Sequence, residues 1–268
     1  MTLGQRAFLW LQYLLPHHAV SRVVRGATRI GWRPIKALTI KKLASAYRIN
    51  TDEALHGADV DAYKNFNDFF TRQLKPGSRP IAESPWVSPA DGILSQFGPV
   101  NAGDLVQAKG HTYSVEALLG QRDQYSQRLQ NGSFFTVYLS PRDYHRVHMP
   151  ASGTRIEQRD ISGRLYSVAA ITVDNIPGLF TRNARRISLF ENDNGQLFAV
   201  VLVGAINVSS MDTVWDNDPT ISAKVAKGDE MGRFNLGSTV VVVSEQSIDF
   251  ADNTAPGQAI ALGNAVGE

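Results

Sequence analysis

The sequence predicts an α+β fold in which a β-rich core follows a set of basic amphipathic helices. Three observations carry that reading. Residues 1–50 place apolar side chains at helical spacing and hold nine Lys/Arg with no Asp or Glu. After residue 80 the texture changes to short apolar runs between Gly, Asp, Asn and Pro turns, as in "GILSQFGPV", "SFFTVYL", "GTRIEQRDI", "LFAVVLVGAINV" and "STVVVV". The chain, 268 residues and 43% hydrophobic, is long enough to bury one large core, alone or with an appendage.

The N-terminal elements come first. The apolar stretch "AFLWLQYLL" (7–15) falls short of the ~20 residues that span a bilayer. No small-x-small cleavage site follows it in "PHHAVSR". Val20, Val23, Val24, Ala27 and Ile30 then recur at helical spacing, with Arg22, Arg25 and Arg29 on another face. "PIKALTIKKLASAY" repeats the pattern with Ile35, Leu38 and Leu43, and Trp10, Tyr13 and Trp32 supply rings suited to an interface. Nine positive charges precede a body, 51–268, with 18 basic and 25 acidic residues. Such asymmetry predicts a polyanionic partner. Leucine-rich faces fit an anionic membrane better than nucleic acid, and two or three helices lying on a membrane surface are expected. The competing reading packs the same helices on their own domain with the arginines in water.

Residues 52–75 are expected to continue as helix, with Asp52 capping one start and "NFNDFFTRQL" (65–74) placing Phe66, Phe69 and Phe70 on one face. "KPGSRPI" breaks the pattern, so the chain divides into a helical docking segment, 1–75, and a β-rich domain, 76–268. Within the second, "SVEALLGQRDQYSQRLQNG" (114–132) reads as one helix ending at Asn131-Gly132, and "AAITVDNIPGLFTRN" as loop or short helix.

The chemistry concentrates in three places. "SPADGILSQFG" sets Asp91-Gly92 in a turn before a strand. "YLSPRDYHRVHMP" packs His145, His148, Arg142, Asp143 and Arg146 between two prolines. "MGRFNLGSTVVVV" begins a plain strand with Gly237-Ser238. Cysteine is absent, which excludes disulfides, thiol catalysis and cysteine-ligated metal. No Glu follows the first histidine of His145-x-x-His148, which disfavours a zinc protease motif. Serine, histidine and aspartate are thus available for nucleophilic activation. Leu236 stands where a hydrolase elbow would carry glycine, so that strand-to-helix elbow is not supported. The residues alone leave a Ser-His-Asp site on a β-rich, membrane-touching protein, with a lipid hydrolase or a non-enzymatic lipid-binding protein as open alternatives.

"KGDEMGRFNLGSTVVV" resembles the processing site of the phosphatidylserine decarboxylases of the bacterial, LGST proenzyme type. "FNDFFTRQLKPGSRPI", "SPADGILSQFG", "QAKGHTYSVEALLG", "YLSPRDYHRVHMP" and "LFTRNARRI" resemble other family segments in the family's order. The resemblance covers nearly the whole chain. It implies self-cleavage between Gly237 and Ser238 into a β chain, 1–237, and an α chain, 238–268, with Ser238 becoming a pyruvoyl group. By the same resemblance His148 activates Ser238, Asp91 orients His148, and His145 serves decarboxylation. The pyruvoyl ketone would form a Schiff base with the serine amine of phosphatidylserine, giving phosphatidylethanolamine and CO2 without metal or pyridoxal. Arg142 and Arg146 are candidate phosphate or carboxylate ligands by charge. A homodimer of the αβ unit, at the cytoplasmic face of a bacterial inner membrane, is the implied assembly and location, with no nucleic-acid partner. The chain departs from the family pattern at Ser162, Ala169, Ala184 and Ser209.

Overall fold

The computed structural model describes residues 1–268 except 109, 207–209, 217, 219, 236, 237, 252 and 253. Gly237 of the expected cleavage site and Ser209 therefore lie outside the described residues.

Three helices open the chain: α1 (Leu3–Leu14), α2 (His17–Thr28) and α3 (Arg33–Tyr47). A capping box starts α1, with Gln5 N donating to Thr2 Oγ1 and Thr2 N donating to the Gln5 side chain. Pro16 separates α1 from α2, and Pro34 sits in the first turn of α3, where its missing N–H costs nothing. The burial pattern of these helices is inverted. α1 buries Gln12, α2 buries His17, Ser21 and Thr28, and α3 buries Lys36 and Ile40. Leu3, Trp10, Leu14, Val23, Trp32 and Leu38 are instead 57% to 85% exposed. Among the described residues no helix is long and apolar enough to cross a membrane.

The helix expected over 52–75 is mostly absent. Only a 3-10 turn (Val60–Ala62) and the short α4 (Phe66–Phe70) form there. Side chains take the backbone donors that a helix would need: Asn50 Oδ1 accepts from Asp52 N, and Asp59 Oδ1 from Asp61 N. Asn65, rather than Asp52, caps α4 by accepting from Asp68 N. Phe66, Phe69 and Phe70 join Ile40, Ile49 and Tyr63 in a small core that ties α4 to α3.

The β-rich part runs β1 (Trp86–Val87), β2 (Gly92–Pro99), β3 (Asp104–Ala108), β4 (His111–Ser114), α5 (Val115–Leu119), α6 (Gln124–Arg128), β5 (Ser133–Leu139), β6 (Arg146–His148) and β7 (Gly153–Ile161). It continues with α7 (Ala170–Val173), α8 (Leu179–Arg182), β8 (Arg185–Glu191), β9 (Leu197–Val203), β10 (Met211–Thr213), β11 (Lys224–Val225), β12 (Glu230–Phe234), β13 (Ser238–Ser244), β14 (Gln258–Ile260) and β15 (Ala265–Gly267). The single helix expected over 114–132 is two short ones. Gly120 ends α5 in the left-handed region at φ +79°, and Asp123 recaps α6 through Ser126.

Eight strands form one antiparallel sheet in the order β11-β7-β8-β9-β13-β5-β2-β14. β13 lies near its centre, paired with β5 on one side and β9 on the other. Val240–Val243 are wholly buried. That explains a run of four valines where a half-exposed strand would alternate. A second sheet, β10-β12-β6, holds Arg146–His148 in its edge strand β6.

Candidate active site

Ser238 is the first residue of β13 and lies opposite Leu139 of β5. Its hydroxyl is fully buried and finds no hydrogen-bond partner among the described residues. It lines a cavity of about 450 Å³ whose walls are mainly apolar. Val24 of α2, Leu43 and Tyr47 of α3, and Phe66 and Phe70 of α4 form one side. Leu139 and Ala169 lie among the remaining wall residues. The helices at the N-terminus therefore enclose the serine at the head of the central strand. Ala169, one of the departures from the family pattern, keeps its stretch of wall apolar.

The loop between β5 and β6 is closed by Asp143, whose carboxylate accepts from Ser140 N at 2.6 Å and Ser140 Oγ at 2.7 Å. His145 follows, fully buried. Its Nδ1 lies 2.8 Å from the Asp143 carbonyl oxygen, which places the proton on Nδ1 and leaves Nε2 as a bare acceptor. That Nε2 has no partner among the described residues. Burial pulls the His145 pKa down to about 3 against the opposing hydrogen bond, with the nearby Arg72 charge adding to the fall. The Phe70 ring lies against the imidazole, centroids 3.9 Å apart.

His148 ends β6 opposite Glu230 of β12. Its Nδ1–H donates to the Gly228 carbonyl at 2.8 Å, and its Nε2 accepts from the Tyr144 hydroxyl at 3.2 Å. Burial holds this imidazole below its ordinary pKa, with the Gly228 hydrogen bond and Glu230 opposing. His148 is therefore a neutral base with a fixed tautomer.

Asp91 lies in the neighbouring turn, and His148 N donates to the Pro89 carbonyl at 2.8 Å. The Asp91 carboxylate is gripped by Arg79, with Nε to Oδ1 at 2.9 Å and Nη2 to Oδ2 at 2.6 Å, and accepts Leu262 N at 2.8 Å. Arg79 also bridges to Glu53 at 2.7 Å. The fold thus brings the Asp91 turn to His148, but the group holding the imidazole is the Gly228 carbonyl. Neither Asp91 nor Ser238 is hydrogen-bonded to His148.

The two candidate anion ligands part company. Arg146 is committed within the fold, with Nε to the Thr71 carbonyl at 2.8 Å and Nη1 to Glu230 at 2.7 Å. Arg142 is exposed, with its Nε 3.6 Å from the Asp143 carboxylate. Sequence reasoning passed over Phe70 as a cavity residue, Tyr144 and Gly228 as His148 contacts, and Arg79 as the Asp91 clamp. Arg79 lies in "KPGSRPI", where the domain boundary is placed, and no local sequence signal ties it to Asp91.

Comparison with known proteins matches this arrangement to a family. The Phosphatidylserine decarboxylase family profile covers residues 66–268, and a second, described as PSD, covers 7–48. The chain belongs to the phosphatidylserine decarboxylase family. A relative from Shewanella amazonensis, named Phosphatidylserine decarboxylase proenzyme, is 47% identical over 269 residues, 92% of each chain. Proteins of the same name from Alkalilimnicola ehrlichii and Ectopseudomonas mendocina are 46% and 43% identical. They cover 87% and 98% of this chain, and 86% and 98% of their own lengths. Phosphatidylserine decarboxylase relatives thus match across both the helices and the sheet.

Proposed function

We propose that this chain is a self-processing phosphatidylserine decarboxylase. It converts phosphatidylserine to phosphatidylethanolamine and CO2 after Ser238 has become a pyruvoyl group. The observation that carries the proposal is the buried, unpartnered Ser238 hydroxyl facing an apolar cavity at the head of the central strand. An orphaned polar atom in such a place costs ~1–3 kcal/mol and calls for a functional reason. A ketone at the same position would remove that hydroxyl and meet the cavity directly, so the site fits the group.

In the processing step the Ser238 oxygen attacks the Gly237 carbonyl, and His148 Nε2 takes the hydroxyl proton. An ester forms as the peptide C–N bond breaks. Loss of the Ser238 Cα proton expels Gly237 as a carboxylate. Water then replaces the amine of the remaining dehydroalanine, which leaves as ammonia. Gly228 fixes the His148 tautomer for this task, and Asp91, clamped by Arg79, sets the turn on which the His148 backbone rests. The pyruvoyl supplies an electron sink for the pair released with CO2. The apolar walls disfavour the substrate carboxylate relative to neutral CO2 and exclude water. His145 serves the decarboxylation step, with Nε2 as the unpartnered acceptor of its ring. Arg142, free at the surface, meets the lipid phosphate.

The hydrolase alternative finds no support in the relatives, which are named Phosphatidylserine decarboxylase proenzyme. The docking segment, 1–75, seats the catalytic domain, 76–268, on anionic lipid. The inverted helices support this reading, since apolar side chains face outward beside nine cations. A homodimer at the cytoplasmic face of a bacterial inner membrane completes it.

The test is an intact mass spectrum of freshly purified protein. The expected species are residues 1–237 and a 238–268 chain lighter by one ammonia than its sequence mass. An unbroken chain that decarboxylates phosphatidylserine, or a Ser238→Ala chain that still splits, overturns the reading.

A further inference from the structure

Phe70 belongs to two environments at once. It lines the Ser238 cavity, and its ring lies 3.9 Å from that of His145, tilted by 38°. His145 does not line the cavity and is fully buried. Its Nδ1 is tied to the Asp143 carbonyl, and Phe70 packs against the ring. Phe70 is anchored in turn by Phe66, at a centroid distance of 5.9 Å, within the small core that joins α4 to α3.

We propose that Phe70 is a positioning residue for decarboxylation. It holds the His145 imidazole in one orientation and keeps water from its Nε2, so that α4 of the helical segment completes the site of the β-rich domain. This rests on the assignment of His145 to decarboxylation given above. The charged group felt at His145 is Arg72, two residues beyond Phe70. On the histidine's own loop, Asp143 turns its carboxylate to Ser140 and lends only its carbonyl.

The physical expectation is specific. A smaller side chain at 70 lets water reach Nε2, frees the ring to turn, and moves the histidine's titration up toward its ordinary range. Self-cleavage, which uses Ser238 and His148, is followed separately by intact mass. Phe70→Leu and Phe70→Ala are to be compared with Phe70→Trp in two measurements. The first is diethylpyrocarbonate modification at pH 7 read by peptide mass, with exposed His56 as the internal reference. His145 is expected to stay unmodified in the parent and Phe70→Trp chains, and to react in the Leu and Ala chains within tenfold of the His56 rate. The second is decarboxylation of phosphatidylserine in mixed micelles. It is expected to show kcat reduced at least tenfold, KM changed less than threefold, and the acid limb of the kcat profile moved to higher pH, with Phe70→Trp restoring all three.

An unreactive His145 in the folded Leu chain overturns the proposal. So does a rise in KM alone, which would make Phe70 a cavity wall and nothing more. Phe70→Leu keeps the test open if Phe70→Ala does not fold. The modification result stands whether or not the chain is cleaved, so failure of the decarboxylase reading and failure of this proposal are separable.

Discussion

His145 and His148 stand three residues apart, and their surroundings differ. Each donates Nδ1–H to a backbone carbonyl, which leaves Nε2 as the acceptor in both. His145 Nε2 meets no partner among the described residues, whereas His148 Nε2 accepts from Tyr144. Burial depresses both pKa values, so the unfolded chain takes up protons first as the pH falls. Stability from these residues is complete above about pH 6.5 and is lost as the pH falls from there toward about 3 for His145. Urea midpoints measured between pH 7.5 and 4.5 are expected to decline, and His145→Gln flattens the decline. The arginines differ at the same scale. Arg146→Ala leaves Glu230 and the Thr71 carbonyl without their partner and is expected to cost about 2–3 kcal/mol in denaturant unfolding. Arg142→Ala, removing an exposed side chain, changes stability by less than about 0.5 kcal/mol. It is expected to raise KM for the anionic lipid.

α1 and α2 are amphipathic in the reverse of the usual sense, whereas α3 buries Ile40 in the small core. A helix packed on a domain buries its apolar stripe, yet α2 buries His17, Ser21 and Thr28 and exposes Val23. Such a face loses free energy in water and gains it against lipid, at roughly 25 cal/mol per Å² of apolar area removed from water. Val23→Glu and Leu38→Glu therefore leave the thermal midpoint within about 2 °C of the parent value. They are expected to reduce sedimentation with phosphatidylserine-containing vesicles at least fivefold. Unchanged vesicle binding by the double variant, with helicity intact by circular dichroism, would leave these helices without a docking role. α2 and α3 also wall the Ser238 cavity through Val24, Leu43 and Tyr47. The proposed docking face and the cavity wall thus share the same two helices.

At the scale of the whole molecule, the proposed cleavage before Ser238 would sever the chain without removing an element. β13 keeps β5 and β9 on its two sides, β14 pairs with β2, and β15 pairs with β1. The Leu262 amide adds a bond to Asp91. The two products are expected to co-elute in gel filtration at neutral pH and to part only in denaturant. Loss of the 238–268 chain under native conditions would contradict this interlocking.

The sequence by itself determined the β-rich core and the basic helices at the N-terminus, and the family resemblance named the candidate site residues. These are local or motif properties: apolar runs between turns, helical spacing in a charge-polarised segment, and segments in a fixed order. It misjudged 52–75 and 114–132. There, short-range competition by Asn50 and Asp59 and a left-handed Gly120 override helical spacing. Only the tertiary structure decided what each functional group touches. Asp91 reaches Arg79 and Leu262, His148 reaches Gly228, Arg146 is spent on Glu230, and Phe70 joins the cavity to His145. These contacts span from twelve to 171 positions along the chain. A residue's spacing along the sequence carries its local conformation, but which distant group neutralises or shields it is fixed only when the sheets and helices pack.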